Sequence, residues 1–204
     1  MAGNSRKIGV VVMAISALLL AVAAFMAIFP NLLPHDATST KTVKIGAPFA
    51  LTDQNGQPYS SAKLNGKPFA IFFGYTHCPD ECPTTLTDLT QAMAQLGPDA
   101  EKLQVLFVTF DPSRDTAPVM HQYMSAFDPR IVALTGSEAA ISALAKSYYV
   151  YWKKVPGKGD DYDFDHSSAV YLIDAHGAYS GQMSMEETRA SMVSKLKKLI
   201  ASAG

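Results

Sequence analysis

Both cysteines of this 204-residue chain fall in one short segment, Cys78-Pro79-Asp80-Glu81-Cys82. Residues four apart on a first helical turn share a face, so the two sulfurs can converge. Unpaired N–H groups and the partial positive charge of a helix N-terminus both favour thiolate. Asp80 and Glu81 disfavour the thiolate but favour a bound cation. Three chemistries compete for this pair. A structural disulfide would close a loop of three residues, with little entropic gain. A redox dithiol is the second, although the common redox motif has two intervening residues and not three. The third is a soft metal site, in which two thiolates hold Cu(I) and an imidazole completes the shell. Zinc would need four ligands, and no fourth is evident.

The imidazole has five candidate sources. His35 lies in a linker, His121 on a helix and His176 in a turn beside Gly177. His77 adjoins Cys78, but neighbours at a strand–helix junction usually point apart. His166 follows the polar stretch Lys158-Gly159-Asp160-Asp161-Tyr162-Asp163-Phe164-Asp165, read as a loop that can reach over the cysteines. Its plainer reading is a loop histidine paired with Asp163 or Asp165.

The elements that must position these groups alternate in period. Phe69-Ala70-Ile71-Phe72-Phe73 is a continuous apolar run, expected for a strand buried on both faces. Leu86, Leu89, Met93 and Leu96 recur at helical spacing, so the motif sits between that strand and a helix over about 83–96. Leu103 to Phe110 reads as a second buried strand. Pro118 opens a helix, Ile131 to Leu134 is a short strand, and Glu138 to Tyr148 is helical. Asn55-Gly56 marks a hairpin turn. Val150 to Trp152, Ala169 to Ile173 and a run from Tyr179 read as strands. Met192, Leu196 and Leu199 define the inner face of a last helix. The pattern predicts an α/β fold with a mixed sheet and helices on both faces.

Ahead of this domain, no charged residue occurs from Ile8 to Phe29. A helix of that length spans about 33 Å, against a hydrocarbon core of about 30 Å. Arg6 and Lys7 flank it on the N-terminal side, which orients residues 1–7 to the cytoplasm. Ala21-Val22-Ala23 fits a signal-peptide cleavage pattern, but the apolar run continues past it, favouring a retained anchor over 8–29. Only seven residues precede the anchor, too few for an Arg-rich mitochondrial presequence, so a bacterial inner membrane is expected. Residues 30–44 read as a linker and 45–204 as one exported domain. With 17 basic and 18 acidic residues the chain has a formal charge of −1 and no basic excess for nucleic acid. At 48 % apolar residues, disorder is excluded for most of it.

Four ordered segments resemble the Sco/SenC family, which comprises membrane-anchored, thioredoxin-like copper chaperones for cytochrome c oxidase assembly. They are Gly74-Tyr75-Thr76-His77-Cys78-Pro79-Asp80-Glu81-Cys82-Pro83, Thr109-Phe110-Asp111-Pro112-Ser113-Arg114-Asp115-Thr116, Phe127-Asp128-Pro129-Arg130 with Leu134-Thr135-Gly136, and Asp165-His166-Ser167-Ser168-Ala169-Val170-Tyr171-Leu172-Ile173-Asp174. One departure is Thr116-Ala117-Pro118, where the family has Thr-Pro. The resemblance implies a thioredoxin-like fold behind one transmembrane helix, and Cys78, Cys82 and His166 as copper ligands, for Cu(I), Cu(II) or both. It implies delivery to the copper-bearing oxidase subunit from the periplasmic side, with other copper chaperones or thiol reductants as further partners. The alternative is a thiol–disulfide oxidoreductase that uses Cys78 and Cys82 as a catalytic dithiol on the oxidase's copper-site cysteines. A peroxidase is a weaker third, from the similarity of Cys82-Pro83-Thr84 to a peroxiredoxin nucleophile segment.

Overall fold

The computed structural model describes residues 13, 15–22, 24–26, 44–157, 161–184 and 186–202. The chain divides into two compact units, Met1–Thr42 and Val43–Gly204. In the first, the described residues are helical, and Leu18, Leu19, Leu20 and Phe25 are exposed. Among the described residues no helix is long and apolar enough to cross a membrane. The rest of the expected anchor and residues 1–7 and 30–43 lie outside the described residues.

The second unit is built on a seven-stranded sheet with order β2-β1-β5-β4-β3-β8-β9. Its strands are β1 (Ala50–Asp53), β2 (Pro58–Ser60), β3 (Phe69–Gly74), β4 (Gln104–Thr109), β5 (Ile131–Thr135), β8 (Ala169–Ile173) and β9 (Tyr179–Ser184). The strands β6 (Trp152–Pro156) and β7 (Tyr162–His166) form a separate antiparallel hairpin. The helices are α1 (Glu81–Leu96), α2 (Ala117–Met124), α3 (Glu138–Ser147) and α4 (Arg189–Ala201).

Strand β3 is central because it is apolar throughout. All six of its residues are buried, and it pairs parallel to β4 and antiparallel to β8. Alternate side chains leave on opposite faces. Phe72 stacks on Phe107, which meets Tyr123 of α2, whereas Phe73 packs on Tyr148 at the end of α3 and on Tyr171. The sheet is therefore mixed with helices on both faces, as the alternating periods predict. Hairpin β1–β2 turns at Asn55-Gly56: Asp53 Oδ1 accepts the N–H groups of Asn55 and Gln57, and Gly56 takes φ +75°.

Two expectations are corrected. Residues 162–166 are a strand, not a loop. Tyr162, Phe164 and His166 alternate with acidic residues, and the Phe164 ring lies 4.9 Å from Phe110 and 5.2 Å from Tyr75. The partner strand runs over Trp152–Pro156 and not over Val150–Trp152. Its register, Trp152 opposite His166 and Pro156 opposite Tyr162, is set by this pairing, which neither segment shows alone.

Candidate metal centre

The cysteine loop leaves the buried end of β3 and enters α1. Cys78 precedes the helix, in a turn where its N–H donates to the Tyr75 carbonyl. Cys82 is the second residue of α1 and is fully buried. Asp80 occupies the N-cap position, yet its side chain caps nothing. The Cys82 N–H instead donates to Cys78 Sγ at 3.4 Å, so a sulfur satisfies one of the orphan donors of the first turn. Pro83 fits in that turn because no N–H is needed there.

Cys82 can lie where it does because residue 74 is glycine. A Cβ on Gly74 would stand 2.6 Å from Cys82 Sγ and 3.0 Å from the Phe107 ring. The loop is held from the other side by Asp115. This fully buried carboxylate accepts from the Thr76 N–H at 3.0 Å and from the hydroxyls of Thr76 and Thr109 at 2.5 Å.

His166 ends β7 and comes over the loop. Its ring lies 5.0 Å from that of Phe110 and 5.9 Å from Tyr75, the latter edge-on. Nδ1 is 3.2 Å from the Ser167 carbonyl. A carbonyl only accepts, so in the neutral ring Nδ1 carries the proton and Nε2 keeps the lone pair. Ligand atoms of Cys78, Cys82 and His166 all lie within 4.8 Å of one another, the one such group of three or more among the described residues. His77 is not in it; its Nδ1 faces Thr76 Oγ1 at 3.1 Å and Asp115 at 3.8 Å. His121 pairs with Asn55, on another part of the surface.

The dithiol is polarised. Hydrogen bonding from the Cys82 thiol holds the Cys78 thiol far below its usual value; burial opposes this, and bonds from His166 and the backbone N–H groups add to it. Cys82 is pushed up, first as the donor to Cys78 and then by its burial. For His166, burial pulls the imidazole down, but its bonds to Cys78 and the Ser167 carbonyl outweigh this and raise it. Both cysteines are free. A cleft of about 290 Å³ opens onto Cys78 and His166, rimmed by Asp80, Glu81, Asp163 and Asp165. Two convergent sulfurs, one with thiolate character, and an imidazole whose neutral form offers a lone pair fit a soft or borderline metal.

The pairing of Cys78 with Cys82 follows from their spacing, whereas their meeting with His166 is a tertiary fact. Gly74, Asp115 and Tyr75 also shape the site, although their residue types alone do not single them out. Gly74 carries a visible signal, a glycine ending a continuous apolar strand, which marks a close approach. Asp115 carries none, because only the fold brings it under Thr76.

A three-stranded parallel centre flanked by antiparallel strands, with a dithiol at the strand–helix junction, defines a thioredoxin-like domain bearing a two-cysteine, one-histidine centre. The SCO1/SenC family profile matches residues 37–201. An SCO2-like protein of Rickettsia felis is 39 % identical over 157 residues, 76 % of this chain and 77 % of that protein. The structure is similar to that of Bradyrhizobium japonicum ScoI with copper bound, at 44 % identity and a TM-score of 0.72, covering 76 % of this chain and 99 % of the other. It is also similar to yeast Sco1 with copper bound, at 34 % identity and a TM-score of 0.71, covering 78 % and 90 %. The chain belongs to the SCO1/SenC family.

Proposed function

We propose that this protein is a copper metallochaperone. It binds copper through Cys78, Cys82 and His166 and hands it to the binuclear copper centre of a cytochrome c oxidase subunit. The observation that carries this reading is the convergence of the three ligand atoms within 4.8 Å. A redox dithiol does not require an imidazole within 4.8 Å of both sulfurs, whereas a copper site uses one as its third ligand. The copper-bound relatives support it. Two sulfurs with one nitrogen accommodate Cu(I) at low coordination, and the nitrogen makes Cu(II) acceptable. The carboxylate rim raises the local concentration of cations at the mouth.

The polarised dithiol favours a second reading, a thiol–disulfide oxidoreductase. A depressed Cys78 beside a buried, protonated Cys82 is the arrangement of an attacking and a resolving thiol. The roles are compatible, since a disulfide withdraws both sulfurs from the metal.

The uncharged run over 8–29, with Arg6 and Lys7 ahead of it, supports a single-pass anchor in a bacterial inner membrane with the domain on the periplasmic side. The deciding experiment is an anaerobic copper titration of the reduced full-length chain in detergent. One copper per chain is expected, with no stoichiometric binding by the Cys78→Ser/Cys82→Ser variant. Unchanged binding by that variant would remove the proposal. Retention of Cu(I) and Cu(II) affinity in His166→Ala would move the weight to the oxidoreductase.

A further inference from the structure

We propose that the turn Asp111–Asp115 fixes the distance between the histidine and the two cysteines, with Arg114 as the positioning residue for His166. The inference rests on the copper reading above and assigns the placement of its third ligand. The turn closes on itself: the N–H groups of Arg114 and Asp115 donate to the Asp111 carbonyl at 3.2 and 2.9 Å. From this one turn, side chains grip both ligand-bearing segments. Asp115 holds Thr76, two residues ahead of Cys78, through the two bonds given above.

Arg114 reaches the opposite way. Nη1 donates to Asp161 Oδ1 at 2.7 Å and to the Tyr162 carbonyl at 3.0 Å. Its guanidinium lies 3.6 Å from the Tyr162 ring centroid, and Nε donates to Asp111 Oδ2 at 2.5 Å. Asp111 Oδ1 in turn accepts from the Tyr162 hydroxyl at 2.8 Å. Tyr162 opens the strand that ends at His166. That strand pairs only within its hairpin, so no main-chain ladder ties it to the seven-stranded sheet. Its position therefore depends on side-chain contacts. The other polar ties are long or single. Tyr75 Oη is 3.4 Å from Asp163 and 3.5 Å from the Phe164 nitrogen, and the Ser168 hydroxyl donates to Glu81. Arg114 supplies a charge-assisted contact from Nη1 to two acceptors, Asp161 and the Tyr162 carbonyl, and two acceptors on one donor set orientation as well as distance.

Arg114 has no bond to either sulfur or to the imidazole, so its effect on a metal must pass through His166. A double-mutant cycle isolates that path. The full-length reduced chain, with Arg114→Gln and His166→Ala singly and together, is titrated with Cu(II) and with Cu(I), and the sulfur-to-Cu(II) charge-transfer band is recorded. Arg114→Gln should weaken Cu(II) binding about 10- to 100-fold, the range for losing a group that orients a ligand. In the His166→Ala background the further loss should stay within about twofold, the scatter of independent sites. Cu(I) affinity should not change. Equal losses in both backgrounds, or none in the first, would overturn the proposal. Asp161→Asn should follow the same pattern at smaller amplitude, and carries the test if Arg114→Gln does not fold. If the parent chain binds neither copper ion, the copper reading fails by itself; if it binds Cu(I) alone, that reading stands without a Cu(II) signal. Hydrogen exchange on the metal-free chain then decides the placement claim. Faster exchange at 162–166 with unchanged exchange at 69–74 in Arg114→Gln supports it, and no difference at 162–166 refutes it.

Discussion

The two halves of the candidate metal centre are built in opposite ways. The cysteine loop is an extension of the molecule's best-buried strand. Strand β3 has hydrogen-bonded neighbours on both edges, and Cys82 sits beneath the sheet's own aromatic layer with no exposure. The histidine comes from a two-stranded hairpin outside that sheet, with a cavity of about 510 Å³ between its Trp152 and Phe164 and the residues Gly136 and Ile141. A lone hairpin is marginal in water, so this one keeps its place through ring contacts and the polar grips described above. The sulfurs are thus core residues that happen to be reactive, and the imidazole is delivered by an appendage. Changes at the cysteine end should alter folding and every metal state together. Changes at the hairpin end should alter only what needs the nitrogen.

The largest effect expected from this contrast is at Gly74. In Gly74→Ala the added methyl must displace Cys82 Sγ, 2.6 Å away, with Phe107 at 3.0 Å and Phe72 at 3.3 Å blocking relief. Overpacking of this kind costs about 1–3 kcal/mol. Because the displaced atom is a proposed ligand, Cu(I) and Cu(II) affinity should fall together. Urea denaturation and paired titrations check this; full affinity for both ions in a destabilised variant would separate the sulfur's position from the sheet.

His166→Ala comes next and should split the two ions. Cu(I) is held by two thiolates, whereas Cu(II) favours nitrogen and oxygen donors in tetragonal surroundings. Cu(II) affinity should drop by more than the roughly 10- to 100-fold typical of losing an outer partner, with loss of much of the charge-transfer band. Cu(I) binding should persist. A parallel loss of both would mean that the hairpin supports the sulfurs as well, and the contrast would collapse.

The same division decided what could be read from the residues. The cysteines are four apart in the chain, so their convergence needs only a helical turn, and the apolar run of β3 announces its own burial. His166 joins the two sulfurs only through tertiary placement. From the residues alone its loop reading stayed open, and the family resemblance singled it out. Interleaved aspartates hide the strand. Yet Tyr162, Phe164 and His166 stand at alternate positions, a period-two face that packs on Tyr75 and Phe110. Arg114 and Asp115 are visible as a motif but not as grips, because their partners are 47 and 39 residues distant along the chain.

A smaller effect concerns protons. The Cys78 thiol is held down by hydrogen bonding from Cys82, against the pull of burial and with help from His166, so it stays a thiolate well into acid. An ordinary thiol loses about tenfold in alkylation rate per pH unit below its pKa near 8.5. In the native reduced protein, iodoacetamide should therefore modify Cys78 at pH 5 almost as fast as at pH 7, with Cys82 left untouched. Mass spectrometry of the modified peptide checks both halves. A rate that falls tenfold per unit across this range would show a normal thiol, and the polarity assigned to the pair would be wrong.

The smallest change tests the seam between the two halves. Tyr75 stands between Cys78 and the hairpin. It is almost fully buried, and burial pushes its phenol up to about 12, so it is neutral throughout the working range. Its hydroxyl donates to Asp163 at 3.4 Å and accepts from the Phe164 N–H at 3.5 Å, both long. Tyr75→Phe keeps the ring contacts with Phe164, Phe110 and His166 and removes only these two bonds. The loss of global stability should stay under about 1 kcal/mol, since bonds near the distance limit contribute at the low end of the usual range. Cu(II) affinity should nonetheless fall measurably while Cu(I) affinity holds, because the strand that loses its tether carries the nitrogen and not the sulfurs. Were Cu(I) to weaken as much as Cu(II), the Tyr75 hydroxyl would be supporting the cysteine loop, and the seam would lie on the other side of this residue.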